Sequence, residues 1–167
     1  MIANALAHGA LLCLVLGAIM IAGVAVAPDV WLSDYPPDVR AKFGAMSARA
    51  RRLRWWVAVP FFLAFFGAPL LALARLEAET GPVAFLPALA SSTLVLLVFN
   101  TFDLIVVDWL VFCTLQPRRI VLPGTAGMAG YRDYRFHFVA FLKGLGLCAV
   151  ASLVVATLWT ARRALLG

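Results

Sequence analysis

The sequence predicts an all-α fold, a polytopic integral membrane four-helix bundle with both termini outside (N-out/C-out). Of its 167 residues, 64% are apolar and only 13% are charged, whereas soluble domains have roughly 45–50% apolar and about 25% charged residues. The mean hydropathy is +0.97. A chain of this length cannot hide so much apolar surface from water, which excludes an ordinary soluble domain. The net charge of +6, taken alone, could suggest nucleic acid.

Four stretches are long enough to be spans, since a spanning helix needs about 20 mostly apolar residues. They form one transmembrane domain over residues 1–167. The spans cover about 5–27, 55–76, 88–115 and 138–160, and the long loops cover about 28–54 and 116–137.

The first span has a competing interpretation as a cleaved signal peptide, because Ala25–Ala27 has the small-x-small pattern of a cleavage site. No Lys or Arg precedes the apolar run, however, and Pro28 directly follows the candidate site. The run also exceeds the usual 7–15 residues of a signal-peptide core. We therefore expect a retained helix.

The basic residues predict the orientation. Eleven of the fourteen Lys and Arg residues lie at one end of the predicted spans. At the other end lie only Arg75, Arg162 and Arg163. Because Lys and Arg accumulate in cytoplasmic loops, both long loops should face the cytoplasm of a bacterial-type inner (plasma) membrane. The net charge then reflects topology, and no nucleic-acid partner is expected. The eleven are Arg40, Lys42, Arg49, Arg51, Arg52, Arg54, Arg118, Arg119, Arg132, Arg135 and Lys143.

The first long loop ends in a basic run, Ala45–Arg54. This run could lie along the membrane surface as a basic amphipathic segment. The alternative is that its charges only fix the topology.

The third span carries polar residues that are costly in lipid: Asn100, Thr101, Asp103 and Asp108. One carboxylate at the centre of a span costs about 2.5–3.5 kcal/mol on insertion scales. Asp103 and Asp108 are five residues apart, which places them about 140° apart around an α-helix. We therefore expect two separate faces, with Asn100 beside Asp103 and Thr101 on the face of Asp108, and no simple carboxylate pair. Both aspartates could still touch the bundle interior if it wraps this helix.

Equal depth on consecutive antiparallel helices predicts that Asp108 pairs with Lys143, or with His137 just above it. Lys143 could instead snorkel to the interface. His137 could act as an acid, base or metal ligand, or be structural. The other histidine, His8, belongs near the opposite end, so neither a metal site nor a cofactor is expected.

The second long loop contains Gly124, Gly127 and Gly130 at intervals of three, flanked by Arg118, Arg119, Arg132 and Arg135. Glycines let backbone N–H groups approach an anion, and arginine binds phosphate bidentately. This pattern suits the anionic headgroup of a phospholipid or a phosphorylated metabolite. It is neither a P-loop nor a dinucleotide fingerprint, and a flexible loop with topology charges is the alternative.

The stretch Phe99–Leu145 resembles a set of uncharacterised small bacterial four-span membrane proteins, to which no activity is assigned, so nothing functional carries over. The pieces that carry the resemblance are Phe102–Leu104, Asp108–Trp109, Leu122–Thr125, Tyr131–Tyr134 and Phe136–Phe138. The arrangement of four spans with intramembrane carboxylates is also similar to sterol-isomerase-like and small multidrug transporter folds. That likeness is architectural only.

Three functions follow as hypotheses. The first is a binding or accessory subunit that contacts membrane lipids, a larger membrane complex or a second copy through its basic loops. The second is a proton-coupled small transporter in which Asp103 and Asp108 exchange protons. The third is an intramembrane enzyme on a lipid or isoprenoid, with Asp108 or His137 as general acid or base.

Overall fold

A computed structural model describes the backbone of residues 1–166 and the side chains of residues 1–162. Arg163, one of the three basic residues assigned to the outer side, has its side chain outside this range. Residues 1–166 contain helices and turns but no strand. The α-helices are α1 (Ile2–Val26), α2 (Pro37–Phe43), α3 (Ala48–Thr80), α4 (Phe85–Phe102) and α5 (Tyr134–Leu166). Two 3-10 segments cover Pro28–Asp34 and Ala129–Arg132.

The third long helix changes its geometry halfway. The α-helical part α4 continues without a break into a π-helical segment, Asp103–Leu115. In this segment the bonds join residues five apart, as between the Gln116 N–H and the Val111 carbonyl at 2.9 Å. Runs of π-helix are rare in proteins and are frequent at functional sites.

Four helices are long and apolar enough to cross a membrane: Ile2–Val26, Ala48–Thr80, Phe85–Leu115 and Tyr134–Arg162. The prediction of an all-helical chain with four helices that are able to span a membrane is thereby confirmed, while insertion into a membrane stays a prediction. Large apolar side chains such as Leu14, Leu63 and Leu158 are exposed on the outside of the bundle. Such a surface suits lipid better than water. The predicted orientation remains a prediction.

The bundle is built around α4, which packs against α1, α3 and α5. α1 lies close to α4 because Gly9 has no side chain: a Cβ there would lie 2.7 Å from Val98 Cβ. The main core comprises Ala5, Leu12, Leu16, Phe65, Ala72, Val95, Leu96, Phe99 and Cys148.

The basic run does not form a separate surface segment. Its residues from Ala48 onward are the first turns of α3, so Arg49–Arg54 extend the second span at its end. Ser47 caps this helix, since its Oγ accepts the Ala50 N–H at 3.1 Å. The Asp29 carboxylate in turn accepts the Ser47 N–H at 2.6 Å.

The two long inter-span segments, residues 27–47 and 116–133, fold together into what we call the cap. Its core contains Leu32, Tyr35, Val39, Leu122 and Tyr131, and rests on Phe112 and Cys113 of the π-helical segment. The Tyr131 Oη accepts the Leu122 N–H at 2.9 Å and lies 2.7 Å from Thr125 Oγ1. The second loop is therefore a packed structure, not the freely flexible loop considered from the sequence. We call this end of the bundle the loop end.

At the opposite end, which we call the link end, a short connection joins α3 to α4. The Glu77 Oε2 accepts hydrogen bonds from Trp159 Nε1 at 3.0 Å and from Arg162 Nη2 at 2.9 Å. The Arg162 guanidinium lies 3.8 Å from the centre of the Trp159 ring. These contacts fasten the end of α3 to the end of α5.

Candidate functional site

A cavity of about 410 Å³ lies at the loop end, between α1, the π-helical segment and the cap. Residues of α1 from Gly17 to Ala25, together with Phe102, Val106 and Val111, form apolar walls. The polar lining residues belong to the cap or lie directly beneath it. They are Asp34, Tyr35, Asp108, Arg118, Arg119 and His137. An apolar chamber with a polar end is thus formed, and we call it the first cavity.

A contact between a histidine and a carboxylate borders the first cavity. The His137 Nδ1 lies 2.9 Å from the Asp108 Oδ1, and the His137 ring packs 4.8 Å from the Phe112 ring. Of the two partners predicted for Asp108, the structure thus places His137 against it, while Lys143 is exposed. His137 is only 3% exposed, and its Nε2 has no hydrogen-bond partner within residues 1–162.

A second cavity of about 210 Å³ lies between the second, third and fourth long helices, and Phe61 and Phe65 of α3 form part of its wall. Both Asp103 and Asp108 line it, although α-helical spacing predicts that the two carboxylates lie about 140° apart around the helix. The prediction assumed α-helical geometry, whereas residues five apart lie close to one face of a π-helix. Asp108 lines both cavities.

Asn100 is a third polar residue that lines the second cavity. Its Nδ2 donates to the Phe141 carbonyl at 3.3 Å, and its Oδ1 occupies the space left by the missing side chain of Gly144. Asp103 Oδ1 is buried without a hydrogen-bond partner in the described part of the chain. Thr101 is exposed and lines neither cavity, so the structure does not bring it to Asp108.

Asp34 is a lining residue of the first cavity that the sequence reasoning missed. Desolvation beside the apolar wall raises the pKa of Asp34, and Asp108 raises it further, while Ser33, His137 and Arg40 lower it. Tyr35 donates its hydroxyl to the Ile120 carbonyl at 2.8 Å, and burial raises the pKa of Tyr35. One signal was present: an acidic residue between Trp31 and Tyr35, beside a predicted span.

The residues predicted to hold an anionic headgroup do not gather at one place. Arg118 and Arg119 line the first cavity, whereas Arg132 and Arg135 are exposed and line neither cavity.

The three glycines of that set also differ. Gly124 and Gly127 adopt φ of +77° and +79° with open space around them. The Gly130 N–H is already bound, since it donates to the Asp38 carboxylate at 3.0 Å. This glycine thus holds an anionic group of the chain itself.

The cysteines and histidines do not assemble into a metal centre in the described part of the chain. No group of three His, Cys, Asp or Glu side chains within residues 1–162 could hold a metal ion. Cys13, Cys113 and Cys148 are buried and free.

No family model matches this chain, and neither a curated protein nor a solved structure matches it. The resemblances drawn from the sequence gain no support from these comparisons. A functional interpretation has to start from the two cavities and the residues that line them.

Proposed function

We propose that the protein is a multi-pass membrane protein that binds an amphiphile with an anionic phosphate headgroup. The observation that carries the proposal is the first cavity, where apolar walls end at two arginines. Its volume of about 410 Å³ falls within the range of about 300–1,000 Å³ that is usual for ligand pockets.

The apolar walls suit a hydrocarbon chain. α1 contributes Met20, Ile21 and Val24, and the π-helical segment contributes Val107 and Val111. Burying apolar surface contributes about 25 cal/mol per Å², although a chain coming from lipid is already in an apolar medium. The shape of the cavity and its polar end should therefore decide which molecule with a hydrocarbon chain binds.

Arg118 and Arg119 suit the headgroup. Both side chains line the cavity, and guanidinium groups bind phosphate with paired hydrogen bonds. Their neighbours Pro117 and Ile120 are tied into the cap, because the Ile120 carbonyl accepts the Tyr35 hydroxyl. The arginines thus project from a fixed piece of backbone, which lowers the entropy cost of holding an anion.

The cap should face the cytoplasm of a bacterial-type inner membrane, as the distribution of basic residues predicts. A larger membrane complex or a homodimer is a further possible assembly. Native mass spectrometry of the protein extracted with its own lipids tests ligand and assembly together, because it reports bound small molecules and partner chains.

The decisive comparison uses two double variants of one loop. Arg118→Ala/Arg119→Ala should lose a co-purified phosphate-bearing amphiphile, and Arg132→Ala/Arg135→Ala should retain it. Both variants remove two positive charges, so general electrostatic attraction to anionic lipid falls equally. Equal retention by the two variants, or a wild-type protein without any phosphate-bearing lipid, would refute the proposal.

A second candidate function, a proton-coupled transporter, is favoured by Asp103 and Asp108 lining one cavity and by Asp108 bordering both. Ionisable groups inside a span are costly and are typical of proton pathways. In proteoliposomes, Asp103→Asn should abolish proton flux coupled to the amphiphile but leave its binding intact. Unchanged flux in this variant would exclude the role.

A further inference from the structure

We infer that the anionic headgroup binds in the first cavity together with one proton, which is carried by His137 in its pair with Asp108. This inference rests on the proposed function and adds a coupled second ligand to it. The observations behind it are the 2.9 Å contact of Nδ1 with Asp108 and the buried Nε2 without a partner in the described chain.

The imidazole can help an anion only when it is charged. A neutral imidazole has one N–H donor and one lone pair. Ionised Asp108 only accepts hydrogen bonds, so it holds the single N–H at Nδ1 and leaves the lone pair at Nε2. That lone pair repels an anion. A proton on Nε2 removes this lone pair and gives the ring a positive charge beside Asp108, which attracts a headgroup in the first cavity.

The charged groups around the site make the proton necessary. Asp34 and Asp108 line the same cavity as His137, and Asp103 lies behind Asp108 in the second cavity. Against these carboxylates stand Arg118 and Arg119, while Arg40 acts on Asp34. A headgroup in the cavity adds negative charge close to Asp108, and protonation of His137 offsets it.

The remaining titratable neighbours do not supply this charge. Tyr35 lines the cavity, but its hydroxyl is engaged by the Ile120 carbonyl. Tyr131 lies behind Phe112 with its hydroxyl at Leu122 and Thr125. Cys113 is buried beside Phe112 in the base of the cap. Imidazole is the side chain whose charge ordinarily changes between pH 5 and 8, so we assign the proton to His137. Proton uptake by the carboxylate of Asp34 or Asp103 would survive His137→Gln.

Binding of the anion and of the proton are then linked, and each strengthens the other. Affinity for the anion should fall as pH rises, by up to about tenfold per pH unit for one linked proton above the range in which imidazole titrates. A site that holds its ligand by arginine alone would bind with the same affinity over this range, because guanidinium stays charged.

Titration calorimetry in dodecyl maltoside micelles tests the inference, with dioctanoyl phosphatidylglycerol as the probe. This phosphodiester keeps its charge between pH 5 and 9, so the ligand itself contributes no proton change. Repeating each titration in two buffers of different ionisation enthalpy gives the number of protons taken up. We expect uptake approaching one proton per probe molecule near pH 7.5 and a dissociation constant that rises with pH.

Three variants separate the role of the pair from a merely structural one. His137→Gln should bind without proton uptake and with a flat pH profile. Asp108→Asn keeps an acceptor for Nδ1–H but removes the charge that stabilises the imidazolium, so uptake should shift to lower pH even if His137→Gln fails to fold. His8→Gln, which alters the histidine at the link end, should behave as wild type.

Binding that requires Arg118 and Arg119 but takes up no proton would overturn this inference and leave the proposed function standing. Proton uptake that persists unchanged in both His137→Gln and Asp108→Asn would also overturn it. A wild-type protein that does not bind the probe would overturn both proposals.

Discussion

The two ends of α5 each contact a carboxylate, and the two contacts differ in what surrounds them. At the link end, the Glu77 carboxylate receives two donors, and Arg162 also stacks on Trp159. At the loop end, Asp108 meets His137 between two cavities, and the buried Nε2 is left without a partner in the described chain. Arg162 Nε at the link end is likewise buried without a partner within residues 1–162. The two ends therefore differ in what adjoins the contact, because Asp108 lines two cavities whereas Glu77 lines neither.

The largest expected effect concerns the packing under the second cavity. A methyl group at Gly144 would collide with Asn100 Oδ1 and lie 3.1 Å from its Cγ. Gly144→Ala should lower the free energy of unfolding by about 1–3 kcal/mol, measured by reversible unfolding in mixed micelles. Gly146→Ala is the matched control, since a Cβ there meets nothing within 4 Å. A stable Gly144→Ala protein would mean that Asn100 is not held in place by this contact.

The next effect tests whether the link end only holds the helices together. Glu77→Ala removes the acceptor of both Trp159 and Arg162, and should cost about 1–2 kcal/mol of unfolding free energy. Retention of the co-purified amphiphile should not change. If lipid were lost while the fold persisted, the two ends would not be functionally distinct.

A smaller effect, about 1 kcal/mol, is expected for Gly127→Ala, because this residue has a φ of +79° that L side chains rarely adopt. Amphiphile retention should equal that of wild type, since the turn faces open space. Native mass spectrometry of the purified variant measures how much of the amphiphile it retains. Loss of the amphiphile in this variant would show that the glycine turn takes part in binding, as the sequence pattern predicts.

The smallest effect concerns Asp34, whose pKa is raised by desolvation beside the cavity. Between its ordinary pKa and the raised one, the folded state binds more protons than the unfolded chain, so stability falls as pH rises through this window. Asp34→Asn should therefore be more thermostable than wild type at neutral pH, and the difference should disappear below about pH 4. A difference that does not vary with pH would show that Asp34 is well solvated.

The sequence was sufficient for features that depend on composition and order along the chain. Four spans follow from four apolar runs, because lipid requires about 20 such residues in a row. Equal depth on consecutive antiparallel helices limits the partner of Asp108 to Lys143 or His137, and the structure selects His137. Both inferences use only the spacing of residues along the helices.

Features that depend on local backbone geometry or on distant contacts were not accessible in this way. Spacing rules place Asp103 and Asp108 on different faces because these rules assume an α-helix. The residue pattern gives no sign of the π-helical segment. Gly130 was assigned to an outside anion because its partner, Asp38, lies 92 residues earlier. Asp34 was overlooked since only the folding of the cap brings it to the cavity.

The cap has a consequence for the order of events during biosynthesis. Its core joins Tyr35 and Val39, from the segment after the first span, to Leu122 and Tyr131, from the segment after the third. The first of these segments emerges from the ribosome long before its partner exists. It must wait through the synthesis of two spans with its apolar side chains uncovered. Completion of the cap, and with it the cavity that it closes, is therefore a late step that depends on all of the first three spans.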